Sequence, residues 1–436
     1  MSTRGHTSAG EPGSVRDQVA SARQAAYRLA VASTDTRDRI LLAMADLLGS
    51  EQAALLEANA HDAQAAETGG LAKPLYKRLV LSERKLATMA DSLKSVVSLA
   101  DPIGDEELVR ELDLGLVLTR VRVPIGVVGV IFESRPDALV QIASLAIKSG
   151  NAVILKGGSE AKESNRALHA LFVRAIESVE PALAGALQLV ETREAIGTVL
   201  ELDDDIDLMI PRGSNELVRF IQQNTRIPVL GHADGICHLY VHEDAEQAMA
   251  VALAKDAKTQ YPAVCNAIET LLVHASAASM LPAIAAAMPE VELRGCERTR
   301  AVVDAEPADD EDWRTEYNDL VLSVRVVDSL DEAIGHVNTY GSHHTDAIVT
   351  ASDEAANRFL REVDSSSVLW NASTRFADGF RYGLGAEVGI STGKVHARGP
   401  VGLEGLTTTQ YRVAGHGHVV ADYAEGRRTF THRELS

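Results

Sequence analysis

From Val15 to about Ala66 the apolar positions recur at helical spacing. Ala26, Leu29 and Ala30 are followed by Ile40, Leu41, Ala43, Met44 and Leu47. A second helical stretch runs from Leu81 to Leu99 and stops before Pro102. Between Arg110 and Arg122 the period drops to two, through Leu112, Leu114, Leu116 and Leu118 and on to Val121 and Val123, which predicts strands. The pattern changes again at Val123. Val127–Phe132 is a continuous apolar run of the kind found in strands covered on both faces. Helix and strand then alternate with short connections: helix Ala138–Ile147, strand Ala152–Leu155, helix Ser164–Val179, strand Leu187–Val190, helix Arg193–Leu202, strand Leu208–Ile210 and helix Asn215–Thr225. That alternation predicts a doubly wound α/β sheet.

A looser alternation continues to about Gly405. Ile236–Val241, Ala267–Val273, Val321–Val327 and Ala347–Thr350 read as strands; Ala245–Ala257, Ala277–Ala287, Leu330–Asn338 and Ser352–Arg361 read as helices. They predict a second α/β unit. The acidic insert Cys296–Trp313 reads as a loop, and polar Gly415–Ser436 as a tail with an edge strand near Val419. Residues 1–14 read as a flexible N-terminal tail.

Length and charge narrow this picture. A chain of 436 residues has room for two or three domains. With 42 Lys+Arg against 62 Asp+Glu the formal charge is −20, so the chain repels phosphate backbones and no nucleic-acid partner is expected. No apolar run is long enough to span a bilayer, and the polar start carries no secretory signal, so no membrane association is expected. Cys237, Cys265 and Cys296 form no disulfide framework and fit a reducing cytoplasm. Ten lysines against 32 arginines on so acidic a chain suit a cytosol of high salt, where screening relieves self-repulsion; a merely acidic protein has the same composition.

No G-x-G-x-x-G follows any strand. Two other turns suit phosphate or ribose: Lys156-Gly-Gly-Ser159 after a buried strand, and Pro211-Arg-Gly-Ser214, which opens a helix. Either can equally be a structural turn. Cys265 stands after Pro262 and just before an apolar strand, a loop-to-strand junction that suits a nucleophile; an inert buried thiol is the competing reading, and Cys237 inside its strand fits that one. His336, His343 and His344 cluster in sequence without metal-ligand spacing, so no metal is expected. Glycine-rich Gly379–Ile390, with Arg375, Arg381 and Lys394 nearby, suits a carboxylate or phosphate, or else is a surface loop with solvated cations.

Seven ordered segments together resemble the gamma-glutamyl phosphate reductase family, the proline-biosynthetic branch of the aldehyde dehydrogenase superfamily. They are Val123–Pro136, Leu155–Glu160, Ile210–Ser214, Val229–His238, Cys265 with its flanks, Glu332–Asp346 and Asn371 through Leu406. The resemblance spans about residues 15–420. It implies an aldehyde dehydrogenase-like α/β fold, with a cofactor-binding domain, a catalytic α/β domain and a β flap for oligomerisation. The NADP-binding domain would take residues 15–109 and 124–240, the catalytic domain 241–400, and the flap 110–123 and 401–436.

The resemblance also implies a reaction. NADPH would reduce L-glutamyl 5-phosphate to glutamate 5-semialdehyde and phosphate through a thioester on Cys265, with Asn266 and Arg135 assisting the oxyanion. Lys156 would contact the adenosine ribose or its 2′-phosphate, Gly213 and Ser214 the pyrophosphate, and Glu316 the nicotinamide ribose. Arg375, His344 and Gly231 would bind substrate. Oxidising members carry a glutamate base where this chain reads Val229-Leu-Gly-His-Ala-Asp-Gly235. Its loss favours a reductase over the alternative, a phosphate-independent aldehyde dehydrogenase acting on a small aldehyde; a non-enzymatic scaffold retaining the fold is the remaining alternative. A homo-oligomer, and a complex with glutamate 5-kinase that hands over the self-cyclising acyl phosphate, are expected partners.

Overall fold

A computed structural model describes residues 14–435 apart from Ser134, Arg193 and Ala233. The expected N-terminal tail, all but Ser14, lies outside the described residues. The chain forms two compact units. One comprises residues up to Gly213, Phe220–Val229 and Leu403 onward; the other comprises Ser214–Arg219 and Leu230–Gly402.

The first unit opens with helices α1 (Val15–Leu29), α2 (Thr34–Ser50), α3 (Gln52–Thr68), α4 (Lys73–Leu79) and α5 (Glu83–Val97). Ser14 and Asp17 form a reciprocal capping box that satisfies two amides at the start of α1. Val19, Ala22, Ala26 and Leu29 then fall on one buried face. Helix α4 has only seven residues, too few for a period to be visible in sequence. Strands β1 (Glu106–Asp113) and β2 (Leu116–Pro124) pair as an antiparallel hairpin, and Gly115 supplies the positive φ of its turn.

There follow β3 (Val127–Phe132), α6 (Pro136–Lys148), β4 (Ala152–Lys156), α7 (Lys162–Val179), β5 (Leu187–Leu189), α8 (Glu194–Leu200) and β6 (Leu208–Arg212). The sheet is parallel, in the order β5-β4-β3-β6. All six residues of β3 are buried, as a strand covered on both faces demands. The chain moves outward from β3 to β5 and returns to lay β6 on the far side of β3. That reversal creates a switch point at the carboxyl ends of β3 and β6. Two buried cations secure the helices: Lys148 bonds Asp38 at 2.6 Å, and Arg37 donates to the Lys148 carbonyl. Helix α9 (Asn215–Gln223) follows β6.

The second unit contains β7 (Cys237–Val241), α10 (Gln247–Thr259), β8 (Ile268–His274), α11 (Leu281–Ala287), β9 (Glu292–Gly295), α12 (Glu297–Arg300), β10 (Glu306–Pro307), β11 (Val321–Val327), α13 (Leu330–Tyr340), β12 (Thr345–Val349), α14 (Asp353–Glu362) and β13 (Ser367–Trp370). These strands form a parallel sheet in the order β10-β9-β11-β8-β7-β12-β13. Alternate residues feed two apolar clusters. Leu239, Val241, Leu271, Val273 and Val324 pack with α10 and α11, while Tyr240, Leu272, Val327 and Ile348 pack with Phe359 of α14. Each such fully buried side chain contributes roughly 1.5–3 kcal/mol. Residue 240, an expected domain boundary, lies inside β7, whose partners are β8 and β12. The insert at 296–313 is not all loop, since α12 and β10 lie within it. A ribbon, β14 (Gly389–Ser391) and β15 (Gly399–Val401), completes this unit.

The chain then returns to the first unit through β16 (Thr407–Ala414), α15 (Val420–Ala424) and β17 (Arg433–Glu434). A four-stranded antiparallel sheet runs β16-β2-β1-β17, and beyond buried Thr407 every residue of β16 is exposed. The edge strand expected near Val419 is not there: Val419 caps α15, and the edge strand is β17. Cross-strand pairs Arg110–Glu434 at 2.7 Å and Arg433–Glu111 at 2.8 Å match its register, whereas Val419 offers β-propensity with no partner strand. No helix among the described residues is long and apolar enough to cross a membrane.

Candidate active site

Cys265 lies on a turn between α10 and β8, half-buried. Gly235 passes so close that a Cβ there would stand 2.4 Å from the Cys265 carbonyl and 2.6 Å from its Cα. Only glycine permits that approach, which fixes the turn. The buried Cys237 thiol donates to the Cys265 carbonyl at 3.1 Å. Burial raises the Cys237 thiol well above the ordinary cysteine range, so it remains a protonated donor.

Two imidazoles flank the Cys265 sulfur. One ligating atom each of His232, Cys265 and His344 lies within 4.8 Å of the other two. The His232 Nδ1 meets the Ile390 carbonyl at 2.9 Å, and that of His344 meets the Thr345 hydroxyl at 2.9 Å. The two rings meet edge to face, 4.6 Å between centroids. His344 has no exposed surface, and its Nε2 has no hydrogen-bond partner among the described residues. Next to Cys265, buried Asn266 donates one amide hydrogen to the Ala377 carbonyl at 2.8 Å, while its Oδ1 is buried without a partner among the described residues.

Arg375, on a short turn after Ser373, is buried and donates from Nε to Gln260 at 3.0 Å. Burial draws its guanidinium below the usual arginine range, with Arg381 adding to the effect and Cys265 opposing it. An arginine so placed still carries its charge at any physiological pH. Between α10 and β8 lies a fully buried ion pair, Lys258 to Glu269 at 2.6 Å. Burial raises Glu269 to about 7 and lowers Lys258. The Asn318 amide donates to the other Glu269 oxygen at 3.2 Å. Lys394 is committed elsewhere, paired with Asp364 at 2.6 Å.

Glu316 accepts from Asn215, in the first turn of α9, at 2.9 Å; the same amide bonds Asp234 at 2.8 Å. The structure thus brings Glu316 to the residue that follows Ser214. Ser214 in turn accepts from the Leu217 amide at 3.4 Å. In the first unit, Lys156 ends β4 and its ammonium donates to the Gly157 carbonyl at 2.6 Å. Gly213 follows β6 at the carboxyl edge of the same sheet. Arg135 precedes α6 after β3, on that same edge, and pairs with Asp137 at 3.3 Å.

Within the second unit, therefore, Cys265, Asn266, Arg375 and His344 are gathered around one turn, with Gly231 in the loop that carries His232. The three histidines adjacent in sequence are not gathered. His336 packs against His238, Trp313 and Tyr340, and His343 bonds the Asp364 carbonyl at 2.6 Å. The sequence reading did not single out His232 or the Lys258–Glu269 pair; it took Cys237 for an inert buried thiol, and Cys237 is buried here, where it also donates to the Cys265 carbonyl. His232 alone had a visible signal, since it lies in the segment where oxidising relatives carry their glutamate base.

A model of the aldehyde dehydrogenase family matches residues 2–295. The gamma-glutamyl phosphate reductase of Pelotomaculum thermopropionicum is 56% identical over 421 residues, 95% of this chain and 96% of that protein. That of Acetivibrio thermocellus is 51% identical over 426 residues, 97% of this chain and 99% of that one. The crystal structure of gamma-glutamyl phosphate reductase from Thermotoga maritima superposes with a TM-score of 0.91 at 39% identity, covering 93% of this chain and all of that one. The chain belongs to the gamma-glutamyl phosphate reductase family, a branch of the aldehyde dehydrogenase family.

Proposed function

We propose that the protein is a cytoplasmic NADPH-dependent reductase of proline biosynthesis that converts L-glutamyl 5-phosphate to L-glutamate 5-semialdehyde and phosphate through a thioester on Cys265. The observation that carries this reading is the Cys265 turn, a thiol held by Gly235 and Cys237 with His232 and His344 beside it. One of these imidazoles, drawn into hydrogen-bond reach or acting through one water, takes up the thiol proton as the sulfur attacks the acyl phosphate carbon. The C–O bond to phosphate breaks and the thioester forms. The second Asn266 amide hydrogen and the backbone amides of the turn meet the developing oxyanion, each such donor being worth about 10²–10³ in rate. Arg135, with its fixed charge, is suited to the anionic substrate, and Arg375 and Gly231 are assigned to substrate binding. The segment from Val229 to Gly235 carries His232 and no glutamate, and its one carboxylate, Asp234, is engaged by Asn215 at 2.8 Å and Arg219 at 2.5 Å, so it is not offered as a base that activates water against the thioester.

The residues at hand fit a phosphate-bearing dinucleotide. Lys156 offers an ammonium at a strand's carboxyl end, Gly213 and Ser214 open α9 with its amides, and Glu316 is held by Asn215 for a ribose hydroxyl. Bound there, NADPH would supply a hydride to the acyl carbon; the C–S bond then breaks, the aldehyde leaves and the Cys265 sulfur takes back a proton. Strands β1, β2, β16 and β17 are assigned to a homo-oligomer contact, and a complex with the kinase that makes the acyl phosphate would shorten the life of a self-cyclising substrate in water.

The test runs the reaction in reverse, as phosphate-dependent reduction of NADP⁺ by glutamate semialdehyde. Cys265→Ser is expected to lose at least about 10⁴-fold in kcat. Mass spectrometry of the enzyme mixed with acyl donor and no coenzyme is expected to find the acyl group on Cys265. A fully active serine variant, or an unmodified Cys265, overturns the proposal.

A further inference from the structure

We propose that His232, Cys265 and His344 together form a binding site for a thiophilic divalent cation of the Zn²⁺ class, whose occupancy closes the active-site sulfur to substrate. The ligand set is one thiolate and two imidazoles, the borderline-soft combination that prefers Zn²⁺ to Mg²⁺ or Ca²⁺. The three ligating atoms already lie within 4.8 Å of one another. Bond lengths of about 2.0–2.3 Å require them to draw in by about 1 Å, which side-chain rotation supplies.

The rings are prepared for this role. His232 Nδ1 is held by the Ile390 carbonyl and His344 Nδ1 by the Thr345 hydroxyl, the outer contacts that orient metal-ligating histidines. Both Nε2 atoms are thereby left as the free ligating positions. In His344 that atom is buried and has no partner among the described residues, a cost that coordination removes. Binding breaks the Cys265 S–H bond, forms a sulfur–metal bond and releases one proton to solvent, with no change of oxidation state. Three protein ligands leave a fourth position, and the buried positive charge of Arg375 favours an anion there.

The metal-binding part stands without the reductase reading; only the loss of activity rests on it. The probe is Co²⁺ alone, titrated into the full-length chain. One ion per chain is expected, with a thiolate-to-metal charge-transfer band in the near ultraviolet. The band should vanish in Cys265→Ser and persist in Cys237→Ser. Affinity should fall at least about tenfold in His232→Gln, whose half-buried ring can be replaced without opening the core, and likewise in His344→Gln. Co²⁺ and Zn²⁺ should also protect Cys265 from alkylation, and chelation should restore its reactivity. Absence of the band, its survival in Cys265→Ser, or unchanged affinity in His232→Gln overturns the proposal. If binding and protection hold while reductase activity is unaffected by Zn²⁺, the site stands and the inhibitory role does not.

Discussion

The two parallel sheets carry their chemistry at opposite edges. In the first, Lys156 and Gly213 stand at the carboxyl ends of β4 and β6, beside the switch point next to β3. In the second, Cys237 begins β7, Thr345 begins β12, and Cys265 lies just ahead of β8, so the Cys265 thiol sits at the amino ends. A carboxyl edge that feeds a helix N-terminus offers unpaired amides and suits a polyanion with few side chains committed to it. An amino edge offers no such field. The second unit instead builds its candidate site from buried side chains: His344, Cys237, Asn266, and the Lys258–Glu269 pair that bridges α10 and β8 on either side of the Cys265 turn.

That contrast can be broken in order of expected effect. Lys258→Met should destabilise the protein by about 3–5 kcal/mol, because Glu269 is left buried and unpaired. Lys258→Met combined with Glu269→Leu should recover most of the loss; denaturant unfolding of single and double variants checks both. A single variant costing under 1 kcal/mol would show that the buried pair does not anchor the turn. Gly235→Ala pushes a methyl into the Cys265 backbone and should lower kcat about 100-fold with little change in NADPH affinity, read by steady-state kinetics and fluorescence titration. Lys156→Ala should do the reverse, raising the KM for NADPH about tenfold at nearly constant kcat, as loss of one charge-assisted hydrogen bond implies.

A separate effect is on acid sensitivity. Burial pushes His336 down to about 2, against 6.5 in an unfolded chain, with His238 and Arg325 adding repulsion. Below about pH 6.5 the unfolded chain takes up a proton that the folded one refuses. Stability therefore falls as pH drops from about 6.5 toward 2, by at most about 1.4 kcal/mol per pH unit for this one group. His336→Gln should flatten that limb by one proton's worth, measured as unfolding free energy at pH 7, 6 and 5.

Much of this architecture is written in local pattern. Period-2 leucines mark β1 and β2, and unbroken apolar runs mark β3 and β4, because a strand buried on both faces tolerates little else; β7 and β8 are mostly apolar runs that His238, Glu269 and Thr270 interrupt. Val321–Val327 is a strand of those same bounds in the structure. Cys265 was visible as a nucleophile candidate from its place before such a run. Helix α4 was not visible, being shorter than the period that would reveal it, and β17 was not, being a pair of charged residues whose only reason to be a strand is the partner across from it.

The sequence by itself determined two α/β units, the family and the position of the sulfur, since these depend on neighbours along the chain. Only the tertiary structure decided what surrounds that sulfur. His232, Cys237, Lys258, Glu269, His344 and Arg375 come from segments far apart in sequence, brought together by the register of β7, β8 and β12. Their separation along the chain carries no period, and their roles arise from shared burial, where an unpaired polar atom is costly and a partner at hydrogen-bond distance is decisive.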